Sequence, residues 1–248
     1  MRLATFNLLH GRSLDDGLVD AARLRSAVKL LDADVLGIQE VDRDQGRSHR
    51  LDLTAEVAAG MDAVDARFVS AIAGTPGGVW VAATDGDAPG AAAYGIGLVS
   101  RLPVRDWHVL RLPAAPVRSP ILMPGTRQLM MLQDEPRVAV AAVLEGITVA
   151  TTHLSFVPVW NGIQLRKVTA WLRQLPGPRV LLGDLNMPGP VPRALTGWSA
   201  LARVPTYPTT EPRIQLDHVL ASGALPPVLA IETPALALSD HRPLLVEL

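Results

Sequence analysis

The hydrophobic positions of the chain follow two periods, one typical of helices and one typical of strands. Apolar residues recur at helical spacing over residues 24–31 and 165–175, and a third helix is predicted at Leu51–Met61. Shorter apolar and β-branched runs predict strands at residues 3–9, 35–39, 68–73, 79–83, 96–99, 104–110, 180–182, 216–221, 228–231 and 244–248. This mixed order predicts an α/β fold in which two packed sheets are flanked by helices.

Two segments differ from this alternation. The most apolar one, VAVAAVLEGITVATTHL, is predicted to be a hairpin with strands at residues 137–144 and 147–152. Glu145 and Gly146 interrupt it, whereas a membrane span needs about 20 unbroken apolar residues, so we expect no transmembrane segment. The other segment, PAAPVRSPILMPG at residues 113–125, is the least regular part of the chain and is predicted to be a loop.

Composition narrows the class of protein. Hydrophobic residues make up 48% of the chain and charged residues 19%, and no linker or repeat divides it, so we predict a single domain over residues 1–248. The absence of Cys excludes disulfides and thiolate zinc sites. Because MRLATFNLLHG lacks the features of a signal peptide, we expect a cytoplasmic protein.

Five polar residues lie at or near the ends of predicted strands: Asn7, Glu40, His153, Asp184 and Asn186. Strands fix such side chains while the adjoining loops admit a substrate, so this placement is typical of an active site. Each residue also has a structural alternative, since GDLN suits a turn, Glu40 a solvated strand end and His153 a satisfied core histidine. Asn7 fits such an alternative less well, because an amide within a buried strand needs hydrogen-bond partners.

Asp217 and His241 form a candidate pair. Asp217 lies in the apolar segment QLDHVLA, where a buried carboxylate must be paired. His241 follows Ser239 and Asp240 in LSDHRPLLVEL, just before the closing strand. A turn accounts for the serine and the aspartate, but few turns require an imidazole that titrates near neutrality. Asp217 is therefore a candidate for the acid that would orient His241.

The residue types predict the chemistry of the site. Asn, Asp and Glu supply hard oxygen ligands, which favour Mg²⁺ or Mn²⁺ over Zn²⁺. A carboxylate-bound Mg²⁺ beside histidines suits attack of water on a phosphate ester, because positioning and charge neutralisation dominate that reaction. We therefore expect an Mg²⁺- or Mn²⁺-dependent hydrolase that acts on a phosphate ester.

Eight segments carry a family resemblance in their order along the chain: TFNLLHG, DVLGIQEVDR, YGIGLVSRLPV, EPRVAVAAV, TTHLSF, LLGDLNMPG, QLDHVLASG and LSDHRPLLVEL. From Thr5 to Leu248 the chain resembles the endonuclease/exonuclease/phosphatase superfamily, which includes deoxyribonuclease I, AP endonucleases, neutral sphingomyelinases and inositol polyphosphate 5-phosphatases. Each motif alone is weak, but eight in the right order are specific. The resemblance implies a four-layer fold like that of deoxyribonuclease I, with a two-sheet sandwich between helices.

The resemblance also implies roles for the candidate residues. Glu40 would be the principal metal ligand, and Asn7 would support the metal site. Asp184 would position or deprotonate the attacking water. His241 would contact the phosphate, and Asp217 would fix its tautomer.

Three further residues receive implied roles. Asn186 would help to hold the phosphate, and Asp240 would support either the metal or the His–Asp pair. His153 matches the members that carry a histidine in the THL motif, and AP endonucleases differ there. The remaining polar candidates have weaker signals: His10 adjoins the first strand and is left open, His218 is expected to be structural, and Gln164 and Arg166 are expected to form a solvated helix start.

Three functions are compatible with the sequence. The first is hydrolysis of a phosphodiester or phosphomonoester of a small or lipid-derived molecule. A DNA endonuclease is disfavoured, because the net charge is −1 and there are ten aromatic residues (5 Trp, 2 Tyr, 3 Phe) for base stacking. A non-catalytic binding module would have lost a ligand, yet every expected position is filled. The oligomeric state and the substrate are left open, since the loops, including the apolar SPILMPGTRQLMML, are not legible.

Overall fold

Two β-sheets packed face to face form the centre of the molecule. The computed structural model describes residues 1–85, 91–122 and 129–248. Its helices are α1 (Ala21–Leu31), α2 (Leu53–Met61), α3 (Trp160–Leu172) and α4 (Val191–Thr196). Its strands are β1 (Arg2–Asn7), β2 (Val35–Arg43), β3 (Asp65–Gly74), β4 (Trp80–Ala82), β5 (Ala93–Ser100), β6 (Asp106–Leu112), β7 (Arg118–Leu122), β8 (Leu129–Gln133), β9 (Arg137–Val143), β10 (Thr148–His153), β11 (Arg179–Asp184), β12 (Ser199–Ala200), β13 (Asp217–Ser222), β14 (Ala230–Glu232) and β15 (Leu244–Glu247).

Each sheet has a mixed topology. Sheet 1 has the strand order β14–β15–β1–β2–β5–β3–β4, and sheet 2 has the order β12–β13–β11–β10–β9–β6. Strands β1 and β2 are parallel, and so are β10 and β11. The carboxyl ends of these four strands therefore lie at corresponding edges, where the polar residues predicted to form the site are found.

Three apolar clusters fill the spaces between adjacent layers. The inner faces of the two sheets pack together, for example through Val35 of sheet 1 and Val149 of sheet 2. Leu24 of α1 and Leu53 of α2 pack on the outer face of sheet 1, whereas Leu165 of α3 packs on that of sheet 2. The predicted four-layer sandwich is confirmed, and burial of these apolar faces is the main force that holds the layers together.

The first two helices begin at aspartate caps. The Asp20 side chain accepts a hydrogen bond from the Arg23 N–H at 2.7 Å, and Asp52 accepts one from the Ala55 N–H at 3.0 Å. Such a cap stabilises a helix by about 1 kcal/mol. The apolar period locates both helices correctly, but their first residues are set by these caps.

The predicted hairpin in the most apolar segment is confirmed. Strands β9 and β10 pair antiparallel, with Val143 opposite Thr148 and Ala139 opposite Thr152. Among the described residues, no helix is long and apolar enough to cross a membrane.

The prediction of an irregular loop at residues 113–125 is wrong in part. Strand β7 lies within it and pairs with β8 in a two-stranded ribbon, where Arg118 faces Gln133 and Pro120 faces Met131. A proline is tolerated there because a two-stranded ribbon leaves one edge of each strand unpaired. Residues 123–125 of the predicted loop lie outside the described residues. Helix α4 was also missed, since its six residues are too few to show a period.

Candidate active site

Four polar side chains lie on the inner faces of the two sheets, each at one end of its strand. Asn7 ends β1, His153 ends β10, Asp184 ends β11 and Asp217 begins β13. His153 is opposite Asp184 in the ladder, and Asp184 is opposite Asp217. The alternation that points Val149 into the sandwich also points His153 the same way, so the apolar core changes to a polar cluster at this edge.

A cleft of about 850 Å³ opens above this cluster. Its lining includes six of the eight predicted site residues: Glu40, His153, Asp184, Asn186, Asp240 and His241. The other two, Asn7 and Asp217, are buried behind the lining and contact it by hydrogen bonds. The structure therefore brings all eight predicted residues together.

Glu40 reaches the site through a β-bulge. Leu36, Ile38 and Val41 all face α1 and α2, so two residues, Gln39 and Glu40, lie between successive outward positions. The pairing of β2 with β5 shifts between Ile38 and Val41, and Glu40 has a φ of 54°. A positive φ is unfavourable for glutamate, and such strain is commonly found at functional sites. Regular alternation would have pointed Glu40 towards the helices.

Asn7 links the two carboxylates of the site. Its Nδ2 donates to Glu40 Oε1 and to Asp184 Oδ2, each at 3.0 Å, and its Oδ1 accepts from the Leu9 N–H at 3.1 Å. In this arrangement Asn7 presents a hydrogen-bond donor to both acids. Its expected support of the metal site would then act through the orientation of Glu40.

The predicted His–Asp pair is present in the structure. His241 Nδ1 lies 2.8 Å from Asp217 Oδ2, so its Nε2 faces the cleft, 3.8 Å from Asp184 Oδ2. Ser239 fixes the turn before it, because the Ser239 hydroxyl donates to the Asn7 carbonyl at 2.6 Å and accepts from the His241 N–H at 3.1 Å. The SDH segment is thus both a turn and a means of placing His241.

His153 and Asn186 form a second contact with Asp184. The Asn186 Nδ2 lies 3.2 Å from His153 Nε2 and donates to the Leu154 carbonyl at 2.9 Å. The Asn186 N–H donates to Asp184 Oδ1 at 2.9 Å, and His153 Nε2 lies 3.6 Å from Asp184 Oδ2. Both amide donors of Asn186 are therefore directed at protein atoms, and its expected contact with phosphate is a prediction.

Burial and neighbouring charges set the ionisation of these groups. Burial, with the Asp240 carboxylate, raises the pKa of Glu40, and burial raises the pKa of Asp184. Burial also lowers the pKa of His153 well below its usual value. Burial opposes the charged form of His241 as well, but the carboxylates of Asp217, Asp184 and Asp240 together outweigh this, Asp217 most of all, and raise the pKa of His241 to about 10. His241 is therefore a cation at neutral pH.

Two groups of residues fit a metal ion differently. Asp184, Asp217 and His241 have ligand atoms within 4.8 Å of one another and could hold a metal. However, Asp217 Oδ2 and His241 Nδ1 already bond to each other, which favours a hydrogen-bonded pair over two metal ligands. Glu40 and Asp240 both line the cleft, and burial, together with repulsion by the Asp240 carboxylate, raises the pKa of Glu40. A divalent cation held by such hard oxygen donors would relieve that repulsion, so the chemistry of these residues fits a divalent metal ion.

A comparison of the sequence with known protein families supports the resemblance described above. The model of the endonuclease/exonuclease/phosphatase family matches residues 4–241. The chain belongs to the endonuclease/exonuclease/phosphatase family. Its members are phosphoester hydrolases, and all the residues that line the cleft described above lie within the matched range. No curated protein matches the chain in sequence.

Solved structures of this family share the fold. An endonuclease/exonuclease/phosphatase from Beutenbergia cavernae is 20% identical, with a TM-score of 0.68 over 99% of this chain and 70% of its own. A mannosyl-6-phosphatase from Bacteroides thetaiotaomicron is 15% identical, with a TM-score of 0.61 over 100% and 98%. A 3′ phosphatase from Neisseria bound to a product DNA hairpin is 19% identical, with a TM-score of 0.59 over 100% and 98%.

Among the cleft residues that sequence reasoning did not identify, Arg137 and Tyr207 lie beside charged or histidine side chains. Arg137 is buried, lines the cleft and lies 3.4 Å from Asp134. A charged residue opening the apolar strand in EPRVAVAAV is a signal that could have identified it. Tyr207 packs its ring against His241 at 4.9 Å between centroids. It lies in an irregular segment, where no pattern distinguishes it from other loop residues.

The weaker candidates lie elsewhere in the family fold. His218 is buried on the outer side of β13 with its Nε2 2.8 Å from the Met187 carbonyl, as expected for a structural histidine. His10 does not belong to the described cleft lining. The expectation that Gln164 is solvated is wrong: it is buried, accepts from the Ser155 N–H at 2.8 Å and donates to the Pro113 carbonyl at 3.0 Å.

Proposed function

We propose that the protein is an Mg²⁺-dependent hydrolase of phosphate esters that acts on a small or lipid-derived substrate by metal-assisted attack of water. The observation that carries this proposal is the convergence of Glu40, Asp184 and the His241–Asp217 pair on one open cleft. A carboxylate that could bind a metal (Glu40), a carboxylate that could orient water (Asp184) and a cation that could bind phosphate (His241) thus face the same cleft.

The metal would be held by Glu40 with help from Asp240, which face the cleft. When bound, Mg²⁺ would neutralise charge on the phosphate oxygens and favour attack at phosphorus. Asn7 fixes the Glu40 carboxylate from behind by its 3.0 Å hydrogen bond.

Asp184 would orient the attacking water. Its carboxylate is held by Asn7 and by the Asn186 N–H, and its raised pKa makes it a better proton acceptor than an exposed aspartate. His241 would donate from Nε2 to a phosphate oxygen, because Asp217 holds its other nitrogen at 2.8 Å. A buried cation aimed into the cleft stabilises the negative charge of the transition state.

A second candidate is a hydrolase of DNA phosphate esters. It is favoured by the structural neighbour from Neisseria, which is bound to a product DNA hairpin. The net charge of −1 argues against it, because non-specific DNA binding depends on an excess of basic residues. The mannosyl-6-phosphatase neighbour supports a small substrate instead.

The deciding experiment is a substrate panel. Phosphomonoesters, phosphodiesters, sphingomyelin and abasic DNA are each incubated with Mg²⁺, with Mn²⁺ and with EDTA. We expect hydrolysis of a small or lipid-derived ester that requires Mg²⁺ or Mn²⁺ and falls by at least about 10²-fold in Glu40→Gln. Full activity after exhaustive chelation, or in Glu40→Gln, would reject the metal assignment. The exchange Glu145→Gln, in the turn between β9 and β10 where that side chain is 90% exposed, is the matched control and should leave the rate unchanged.

A further inference from the structure

We propose that a groove between α3 and α4 binds the apolar portion of the substrate, so that the protein hydrolyses phosphate esters of apolar alcohols. This inference rests on the proposed function, because it assigns the part of the substrate that extends beyond the phosphate.

The groove has the size and composition of a site for a small apolar group. Its volume is about 390 Å³, within the range of about 300–1,000 Å³ usual for ligand pockets. Its apolar lining comes from the segment before α3, from α3 itself, from the loop after β11 and from α4, and includes Pro158, Val159, Ile163, Met187, Pro188, Val191 and Leu195. Arg166 is the one ionisable residue among the described lining residues.

The groove adjoins the phosphate end of the cleft. Pro158 and Asn186 line both cavities, and Asn186 lies two residues after Asp184. A substrate whose phosphorus is bound at Asp184 would therefore need to extend only past Asn186 to enter the groove.

Polar atoms at the boundary are already paired within the protein. Asn161 Nδ2 donates to the Asn186 carbonyl at 2.9 Å, and Asn161 Oδ1 accepts from the Gly162 N–H at 2.8 Å. The Asn186 amide donates to the Leu154 carbonyl. Away from Arg166, water in the groove therefore has few hydrogen-bond partners, and an apolar group that displaces such water gains affinity.

The side chains at the rim are exposed although they are apolar. Val159 is 78% exposed, and Ile163 and Val191 are each 36% exposed. Val159 also has φ 69° and ψ −44°, an unfavourable conformation for a β-branched residue. The fold thus maintains strain that holds an apolar side chain beside the catalytic cleft, and such strain is typical of ligand-binding positions.

The charge of the groove indicates which alcohols fit. Arg166 adds positive charge beside an anionic phosphate ester, whereas no acidic residue occurs among its described lining residues. An uncharged alkyl or aryl group is therefore favoured over a cationic alcohol such as choline. The small volume favours part of a substrate over a protein partner, whose interface normally covers about 800 Å² on each side.

The first test of the groove is how hydrolysis depends on the length of the alkyl chain of the substrate. The values of kcat/KM are measured for ethyl, butyl, hexyl and octyl phosphates, as monoesters and as methyl diesters, with Mg²⁺. These alcohols are similar leaving groups, so the length of the chain changes binding and hardly changes the chemistry. We expect wild-type kcat/KM to rise about two- to fourfold per methylene until the groove is filled.

Ile163→Glu and Val191→Glu should abolish that rise, so that the ratio of kcat/KM for the octyl ester to kcat/KM for the ethyl ester falls towards one. Glutamate at position 191 is compatible with α4, because it lies in the first turn of the helix. Leu30→Glu, at an exposed position of α1, is the matched control and should retain the rise.

Binding of non-hydrolysable analogues separates failure of the groove from failure of the proposed function. Affinities for ethylphosphonate and octylphosphonate are measured by calorimetry, with Mg²⁺ and with EDTA. We expect octylphosphonate to bind at least about tenfold more tightly, with the difference lost in both groove variants and kept in Leu30→Glu. Equal affinity for the two phosphonates, or a difference unchanged in both groove variants, would overturn the inference. Tight octylphosphonate binding without hydrolysis of any ester would reject the proposed function and support the groove.

Discussion

His241 illustrates how neighbours define the chemistry of a single residue. The imidazole is buried, which by itself favours the neutral form, yet the carboxylate of Asp217 at 2.8 Å keeps it charged. The pair then acts as one unit: Asp217 fixes the ring, and His241 presents Nε2 to the cleft. Removal of either partner should therefore have similar consequences.

Substitution of this pair should reduce turnover without unfolding the protein. We expect His241→Ala to lose at least about 10²-fold in rate, because phosphate-stabilising or acid–base groups typically contribute about 10²–10⁴. Asp217→Asn should lose much of the same factor, and the double variant should be little worse than His241→Ala, since residues that act together are not additive. Steady-state rates on the ester selected by the panel, with circular dichroism to verify folding, measure this. If His241→Ala turns over normally, the SDH segment is only a turn.

His10 should make stability depend on pH. Burial lowers the pKa of His10 to about 4, with a contribution from the positive Arg47. Between about pH 6.5 and pH 4 the unfolded chain therefore binds a proton that the folded chain resists, so the stability fully present above pH 6.5 is lost as pH falls. The full shift corresponds to about 2 kcal/mol at pH 5, and solvent screening of this half-buried ring reduces it, so His10→Asn, which suits the φ of 48°, should reduce the loss by about 1 kcal/mol. Urea denaturation of both proteins at pH 7.5 and pH 5 measures it, and identical losses would contradict it.

At the scale of elements, strand β2 forms hydrogen bonds to the opposite sheet and also positions Glu40 at the site. The Gln39 side chain points inward, where its Nε2 donates to the Thr151 hydroxyl of β10 at 2.9 Å and its Oε1 accepts from the Thr5 hydroxyl at 3.2 Å. The next residue, Glu40, turns to the site through the bulge. Close approach of the two sheets below this point requires Gly37, because a Cβ there would lie 2.5 Å from the Thr151 hydroxyl oxygen.

An alanine at position 37 should therefore destabilise the sandwich. The added methyl group would overlap Thr151, and such overpacking typically costs about 1–3 kcal/mol. Gly46→Ala is the matched control, because a Cβ at position 46 has no atom within 4 Å, and we expect it to change stability by less than about 0.5 kcal/mol. Urea denaturation measures the free energy of unfolding of both variants. Equal values would contradict the prediction, because they would show that the two sheets accommodate the added methyl group without loss of stability.

At the scale of the whole molecule, the charge balance limits the partners. The chain has 23 Lys and Arg against 24 Asp and Glu, and the cleft itself contains several carboxylates. Attraction to the closely spaced phosphates of duplex DNA needs a surplus of cations. A small ester that fills the cleft and the adjoining groove needs only the local positive charge of His241, Arg137 and a metal.

Affinity for duplex DNA should accordingly be weak and sensitive to salt. We expect binding of a 20-base-pair duplex, followed by fluorescence anisotropy, to fall steeply between about 50 mM and 200 mM salt. A single-stranded oligonucleotide of the same length is the parallel probe, since a stacking site for bases would be revealed by salt-resistant binding. Tight binding that persists at 200 mM salt, together with Mg²⁺-dependent cleavage, would favour the DNA hydrolase.

The sequence by itself determined the layers of the fold and most of the site. Inward-facing apolar residues alternate along β11 and β13, and Val149 and Thr151 face inward in β10; a polar residue takes the last inward position at one end of each strand. Because alternation has a fixed period of two, His153, Asp184 and Asp217 must point into the same layer once the strands pair. The eight ordered motifs then identified the family, which the match over residues 4–241 confirms.

Tertiary structure alone decided what depends on contacts between distant segments. The bulge that redirects Glu40 breaks the period of β2, so alternation would have placed that carboxylate on the helix side. The charge of His241 depends on its distance from Asp217, and the buried position of Gln164 depends on how α3 meets the Pro113 segment. The groove likewise exists only because α3 and α4, separated along the chain, pack beside the cleft. A local pattern specifies which way a side chain points within its element, but distances between elements arise only when the layers pack.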